Sequence, residues 1–226
     1  MNPAERIIVA LDRSRREEIL ALVESLLGRV GLFKLGLEAF IANGPSIVRD
    51  VSAAGGRVFL DLKLHDIPNT VAKATAAAGE LGAAMLTLHA AGGTAMIRAA
   101  AAVETRPLLL GVTMLTSLGD HDIEEIGLTG GAAPNAQRLA RLAQGSGADG
   151  CIASPKEIGI IREACGPGFL IVTPGIRGRD DDRGDQQRTM SAAEAIRAGA
   201  DYIVVGRPIT ESPDPRAAAE RIVDTL

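Results

Sequence analysis

Aromatic side chains are almost missing from this chain: four Phe, one Tyr and no Trp make up 2% of 226 residues. Stacking platforms for single-stranded nucleic acid are thereby nearly excluded. Cysteine is scarce as well. Cys151 and Cys165 are too few for a disulfide scaffold, and neither belongs to a CxxC pair, so a reducing compartment is expected. Basic residues are not in excess. Lys plus Arg is 24 against 28 Asp plus Glu, a formal net charge of −4, which leaves no general basic face for a phosphate backbone. No stretch reaches the roughly 18 uninterrupted apolar residues that span a bilayer. The first six residues, Met1 to Arg6, lead into a short strand-like run rather than the apolar stretch of a signal peptide. A cytoplasmic protein with neither a nucleic-acid nor a membrane partner is expected. Lysine itself is rare: only Lys34, Lys63, Lys73 and Lys156 occur, so 20 of the 24 basic residues are Arg. In such an Arg- and Ala-rich composition a Lys at the end of a strand stands out.

What is present is a regular alternation. Short apolar runs over 7–11, 32–35, 58–62, 85–89, 108–113, 150–153, 169–173 and 202–205 predict strands buried on both faces. Between and after them, segments rich in Ala, Leu and Glu over 14–27, 37–54, 67–81, 93–103, 134–145, 155–164, 191–198 and 214–225 predict helices. In the first of these, Ser14 as N-cap and Glu17 three residues on form a capping-box pattern. Strict alternation of eight strands with eight helices predicts a parallel sheet. At about 28 residues per unit, the chain matches a small (β/α)8 TIM barrel, read as one domain over 1–226. The competing fold is a doubly wound open sheet. It requires a Gly-rich turn after the first strand, where this chain has Asp12-Arg13-Ser14-Arg15. The longest irregular stretches, 114–133 and 174–190, follow strands five and seven, the catalytic face of a barrel, where long loops serve as lids.

Polar residues at the carboxyl ends of barrel strands point to the active site. Here they are Asp12, Lys34, Asp61 to Asp66, His89, Thr113 with Thr116 and Ser117, Ser154, Thr173 to Arg177, and Gly206-Arg207. On strand three, side-chain alternation puts Asp61 and Lys63 on one face and Leu60, Leu62 and Leu64 on the other. Charges on so apolar a strand need partners. Asp12, Lys34 and Asp66 would supply them, giving three carboxylates and two ammonium groups in one cavity. A buried ion-pair network supporting the barrel is the alternative use, but such networks stabilise weakly and barrel interiors are ordinarily filled with branched apolar residues. The turns Gly175-Ile176-Arg177-Gly178 and Val205-Gly206-Arg207-Pro208 fall after strands seven and eight, where barrels bind phosphate, and Pro208 suits the start of a helix. The bland alternative is two Gly turns with solvated Arg. His65, His89 and His121 lack metal-ligand spacing. His65 is expected to be structural, and His89 to be a hydrogen-bonded core residue. Asp180-Asp181-Asp182 reads as a solvated loop tip, and Cys151 as core packing.

The run Asp61-Leu62-Lys63-Leu64-His65-Asp66-Ile67-Pro68-Asn69-Thr70 resembles the DxKxxDIPNT motif of the orotidine 5′-phosphate decarboxylase family. Val9-Ala10-Leu11-Asp12, Phe33-Lys34-Leu35-Gly36, Val112 to Ser117, Thr173 to Arg177, Gly184-Asp185-Gln186 and Val205-Gly206-Arg207-Pro208 are similar to that family's other blocks, in order. The resemblance implies a homodimeric barrel with shared active sites that uses neither metal nor organic cofactor. Its reaction converts orotidine 5′-monophosphate to UMP and carbon dioxide, the last step of de novo pyrimidine synthesis. By resemblance, Lys63 lies beside C6 and protonates it, and Asp61 sits by the departing carboxylate. Lys34 and Asp12 bind the ribose hydroxyls and hold the charges in register. Asp66 and Thr70 reach into the neighbouring subunit's site. Thr116 and Ser154 contact the pyrimidine. Arg177, Gln186 and Arg207, with Pro174 and Gly206 at the same end, hold the phosphate as loop 174–190 closes. Two alternatives stay open. One is a metal-dependent sugar-phosphate lyase or decarboxylase of the same suprafamily, whose members tend to carry an acid where Lys34 stands. The other is a non-catalytic nucleotide-binding barrel.

Overall fold

The computed structural model describes residues 1–176 and 190–226. Eight parallel strands close on themselves in sequence order, β8 pairing with β1. They are β1 Ile7–Ala10, β2 Leu32–Leu35, β3 Val58–Leu64, β4 Met85–His89, β5 Leu108–Val112, β6 Gly150–Ile152, β7 Leu170–Thr173 and β8 Tyr202–Val205. The helices are α1 Arg16–Leu26, α2 Leu37–Asn43, α3 Ser46–Ala53, α4 Pro68–Glu80, α5 Gly93–Ala101, α6 Asp120–Glu125, α7 Ala132–Gly145, α8 Ile158–Cys165, α9 Ala192–Ala198, α10 Arg207–Thr210 and α11 Pro215–Val223. The predicted parallel (β/α)8 barrel is the fold, and the strand bounds differ from expectation by at most two residues.

Three local expectations are corrected. The helix expected over 37–54 is two, α2 and α3, because Gly44 takes a left-handed φ of 67° and Pro45 follows it. Ser14 does not cap α1: Arg15 is the N-cap, and the Ser14 hydroxyl instead donates to Glu38 Oε1 at 2.7 Å. Stretch 114–133 is not irregular throughout. Gly119 N–H donates to Asp122 Oδ2 at 2.8 Å at the start of α6, and α7 begins at Ala132.

Strand alternation divides the interior. Ile8, Ala10, Leu32, Phe59, Met85, Leu110, Val172, Tyr202 and Val204 fill the barrel itself. Their sequence neighbours, among them Ile7, Val9, Phe33, Leu60 and Leu86, face the helices in a second, outer layer. Helices approach closely where residues are small. A Cβ on Gly111 would lie 2.8 Å from the Ala143 Cβ of α7, nearer than side-chain carbons pack.

The amino-terminal face of the barrel is tied by two Arg–Asp clamps. Gly147-Ala148-Asp149 and Gly199-Ala200-Asp201 each lead from a helix into the next strand, and both glycines take positive φ, 96° and 111°. Asp149 Oδ2 accepts from Leu109 N–H at 2.7 Å and pairs with Arg106. Asp201 Oδ2 accepts from Ile171 N–H at 2.8 Å and from Arg162 Nη2 at 2.7 Å. Arg162 also donates to the carbonyls of Gly166, Phe169 and Gly199. Truncating it strands several part-buried acceptors at once. Arg162→Ala should therefore lower stability by about 2–4 kcal/mol in urea unfolding. A variant as stable as wild type would show that water replaces this clamp without loss.

Candidate active site

At the carboxyl ends of the strands the barrel opens into a cavity of about 320 Å³. Its base is apolar, made by Ala10, Phe59, Val112, Ile152 and Val204. Its polar wall comes from the strand ends: Asp12, Lys34, Asp61, Lys63, Thr116, Pro174, Gly206 and Arg207. The alternation that fills the barrel produces this placement. Ala10, Leu32 and Phe59 point inward, so the residues two further on, Asp12, Lys34 and Asp61, do so as well, one layer nearer the mouth.

The charges form an alternating chain. Lys34 Nζ stands 3.2 Å from Asp12 Oδ1 and 3.5 Å from Asp61 Oδ2, and Lys63 Nζ stands 2.9 Å from Asp61 Oδ2. Burial alone would raise the Asp61 carboxyl, but Lys34, Lys63 and the Thr87 hydroxyl together hold it below the usual aspartate value. Its ionised form is thus favoured by folding. That contribution to stability is present above the ordinary aspartate range and is lost as pH falls through the lowered value. Space for the chain is left by Gly36, where a Cβ would lie 3.2 Å from Lys34 Nζ and 3.4 Å from Asp12 Oδ1.

Asp61 and Lys63 share a side as alternation predicts, but not through a regular strand. The β3–β4 register runs from Leu60 opposite Leu86 to Leu64 opposite Leu88. Three residues, Asp61, Leu62 and Lys63, therefore face Thr87 alone, and β3 bulges. Lys63 has φ 52°, the one positive value at a non-glycine among the described residues, a conformation that costs on the order of 1–2 kcal/mol. Thr87 is fully buried. Its Oγ1 accepts from Lys63 N–H at 2.8 Å and donates to Asp61 Oδ1 at 2.9 Å. Sequence reading missed Thr87. The available signal was a hydroxyl at an inward position between Leu86 and Leu88 of a strand.

The remaining predicted residues divide. Asp66 is exposed beyond the end of β3, its Oδ1 accepting from Ile67 N–H at 2.6 Å. It does not line the cavity. The expected cluster of three carboxylates is thus two within one chain, because the turn into α4 carries Asp66 away from the mouth. Thr70, in the first turn of α4, is likewise exposed and off the cavity wall. Ser154 is fully buried and not on the wall. Its N–H donates to Glu157 Oε2 at 3.1 Å, while its Oγ finds no hydrogen-bond partner among the described residues. Thr113 Oγ1 donates to the Ile152 carbonyl at 2.9 Å. Arg177, Gln186 and the Asp180–Asp182 run lie outside the described residues.

The histidines and cysteines stand apart from the charge chain. His89 is half-buried, and its ring centroid lies 5.4 Å from that of the exposed His65. Burial first, then His65 and Lys63, depress the His89 imidazole, so it is neutral at pH 7. Cys151 is core packing, its thiol pushed up by burial. Among the described residues, no group of three or more His, Cys, Asp or Glu side chains is arranged to hold a metal ion. Nor is any helix among them long and apolar enough to cross a membrane.

Comparison with known proteins agrees with this architecture. Residues 5–222 match the model of the "Orotidine 5′-phosphate decarboxylase / HUMPS family". The chain is 51% identical to an orotidine 5′-phosphate decarboxylase of Moorella thermoacetica, over 98% of this chain and 92% of that one. It is 48% identical to one of Geobacter sulfurreducens, over 98% and 96%. Among solved structures, the orotidine 5′-phosphate decarboxylase of Lactobacillus acidophilus superposes with a TM-score of 0.86 at 38% identity, covering 97% of each chain. An apolar-based cavity, an alternating Asp–Lys chain across three strand ends and a match along almost the whole sequence converge on one assignment: the chain belongs to the orotidine 5′-phosphate decarboxylase / HUMPS family.

Proposed function

We propose that this chain catalyses the decarboxylation of orotidine 5′-monophosphate to UMP and carbon dioxide. The observation that carries the reading is the chain Asp12–Lys34–Asp61–Lys63, held at 2.9–3.5 Å above an apolar base. Breaking the bond from C6 to the carboxylate leaves the electron pair on C6, in the ring plane, where the ring delocalises it poorly. Electrostatic stabilisation must then supply most of the rate. The Lys63 ammonium would face the developing carbanion and pass a proton to C6, its amine regaining a proton from solvent. Asp61, kept ionised by two lysines, would sit beside the departing carboxylate, crowding it in the ground state. Lys34 and Asp12 would bind the ribose hydroxyls. Arg207 and Gly206 after β8, with Pro174 after β7 and with Arg177 and Gln186, would hold the phosphate; Thr116 and Ser154 would contact the pyrimidine.

The sugar-phosphate lyase alternative is disfavoured by Lys34, a cation at the centre of the charge chain where those proteins tend to carry an acid. The relatives named above carry the decarboxylase name, not that one. The family match over 5–222 and the closed barrel support reading the chain as one domain. Two unpaired cysteines suit a reducing, cytoplasmic compartment. The decisive experiment follows loss of orotidine 5′-monophosphate absorbance with purified protein in excess chelator. Turnover is expected, and none, or turnover only with added metal, would overturn the reading.

Lys63→Ala should cut kcat by at least about a thousandfold, because the ammonium acts on the transition state. The fold should persist, since Asp61 keeps Lys34 at 3.5 Å and the Thr87 hydroxyl. Near-native kcat in this variant would remove Lys63 from its role.

Arg207→Ala should raise KM for orotidine 5′-monophosphate by at least about tenfold, through loss of a charge-assisted phosphate contact. It should leave kcat/KM for orotidine, which lacks the phosphate, nearly unchanged. Equal losses on both substrates would assign Arg207 to the fold.

The exposed position of Asp66 and Thr70 supports a homodimer in which each site draws on its partner. Inactive Lys63→Ala and inactive Asp66→Ala proteins, mixed under subunit exchange, should then regain about a quarter of wild-type activity. Half the dimers are mixed, and each of those holds one intact site. No recovery, with exchange verified by mass spectrometry of tagged subunits, would place both residues in one subunit's site.

A further inference from the structure

We propose that Thr87 is a positioning residue for the reaction: its hydroxyl locks the Asp61 carboxylate to the Lys63 backbone and so fixes where the Lys63 ammonium stands. The inference rests on the reading of the cavity given above. Thr87 is fully buried in the middle of β4 and does not line the cavity, so it touches no substrate. A hydroxyl has one proton. Here it is given to Asp61 Oδ1, and the lone pair accepts from Lys63 N–H. Both directions are therefore set by chemistry, since a carboxylate can only accept and an amide can only donate.

The two Asp61 oxygens are divided by this bond. Oδ1 is held by Thr87, and Oδ2 is left to Lys63 at 2.9 Å and Lys34 at 3.5 Å. Rotation of the carboxylate would break all three contacts together. The same hydroxyl anchors the bulge. In a regular ladder the Lys63 amide would donate to a neighbouring carbonyl, but with three residues opposite one it donates to the Thr87 side chain. That bond holds Lys63 at φ 52°, from which its side chain meets Asp61. Met85, two residues earlier on the same face, packs in the barrel core, and His89, two residues later, is half-buried. Neither is hydrogen-bonded to Asp61 or to Lys63 N–H in the way Thr87 is.

A purely structural hydroxyl would affect stability alone, and the test separates the two roles. Thr87→Val is nearly isosteric and removes both hydrogen bonds; Thr87→Ser keeps them and removes a methyl. Thr87→Val should lower kcat by about a hundredfold, the scale of a misplacement near 1 Å, with KM and the Kd for UMP changed less than about threefold. Thr87→Ser should keep kcat within about threefold of wild type. The titratable and charged groups around this bond are Asp61, Lys63 and Lys34, with His89 at the end of β4 and, against its ring, His65 after the end of β3. Asp61 loses a donor to its charged form in Thr87→Val, so the acidic limb of kcat should move to higher pH in that variant and not in Thr87→Ser.

Thr87→Val with wild-type kcat, or Thr87→Ser as slow as Thr87→Val, would overturn the proposal. So would a loss confined to KM and UMP affinity. Should Thr87→Val not fold, Thr87→Ala against Thr87→Ser makes the same comparison, with a slow Ala and a fast Ser expected. Wild-type turnover in the same series keeps the two readings apart. If wild type is inactive, the proposed reaction fails; if wild type and Thr87→Val are equally active, only the role of Thr87 fails.

Discussion

Asp61 holds its negative charge inside a barrel, between two ammonium groups, on a strand whose other residues apart from Lys63 are apolar. At an effective dielectric of about 20, one such pair at 3 Å attracts by roughly 5 kcal/mol, and withdrawing each ion from water costs several kcal/mol. The two effects nearly offset. The outer pair, Lys34 with Asp12, adds little, because the Asp12 side chain is 58% exposed. Stability therefore does not explain the arrangement. What the charges gain is geometry: three strand ends in parallel register bring them to one height, and the apolar side chains of Phe59, Ile152 and Val204 beneath them keep water to one side.

Stability is supplied at the opposite end. The Arg106–Asp149 and Arg162–Asp201 clamps also pair one basic with one acidic residue, but every partner is a backbone amide, a backbone carbonyl or the other member of the pair. These bonds satisfy backbone groups that would otherwise be left over where strands begin. At the mouth the polar atoms face a cavity instead. One fold thus keeps the bonds that fasten its strands at the amino-terminal face and the charges that face the cavity at the carboxyl-terminal face, so loops at the mouth can differ without unfastening the barrel.

How far the sequence discloses this depends on the range of the interaction. Buried parallel strands announce themselves as apolar runs, and Leu32–Leu35, Met85–His89 and Tyr202–Val205 match the expected bounds. The break between α2 and α3 was also written in the chain, as Gly44-Pro45. Ser14 was misread because its hydroxyl has a choice, and Glu38, 24 residues on, takes it. Propensity cannot weigh a partner that only the fold supplies. The site shows the same limit. Asp12, Lys34, Asp61 and Lys63 were legible from their strand ends. The bulge at Lys63 was not, because no glycine marks it, and Thr87 was not, because its role exists only across the β3–β4 pairing. Asp66 fell outside the cavity because alternation says nothing once the strand has ended.

The charge chain, two carboxylates and two ammonium groups, is formally neutral before anything binds. Orotidine 5′-monophosphate would bring a carboxylate to one end of it and a phosphate to the other end of the cavity. Near Asp61 the incoming carboxylate would meet a carboxylate that two lysines prevent from taking up a proton, so repulsion could not be relieved by titration. Loss of carbon dioxide removes that repulsion and leaves a carbanion facing Lys63, which attracts it. The same array is thus poorly matched to the substrate and well matched to the species formed from it. Such a site can bind only if attraction elsewhere offsets the mismatch. Arg207 and the backbone after β8, on the cavity wall three strands round the barrel from β3, are where a phosphate would supply it. A rigid charge array needs this distant anchor, and the anchor is useful only if the array does not relax. The bulged, left-handed backbone at Lys63 and the apolar barrel beneath it are what resist that relaxation.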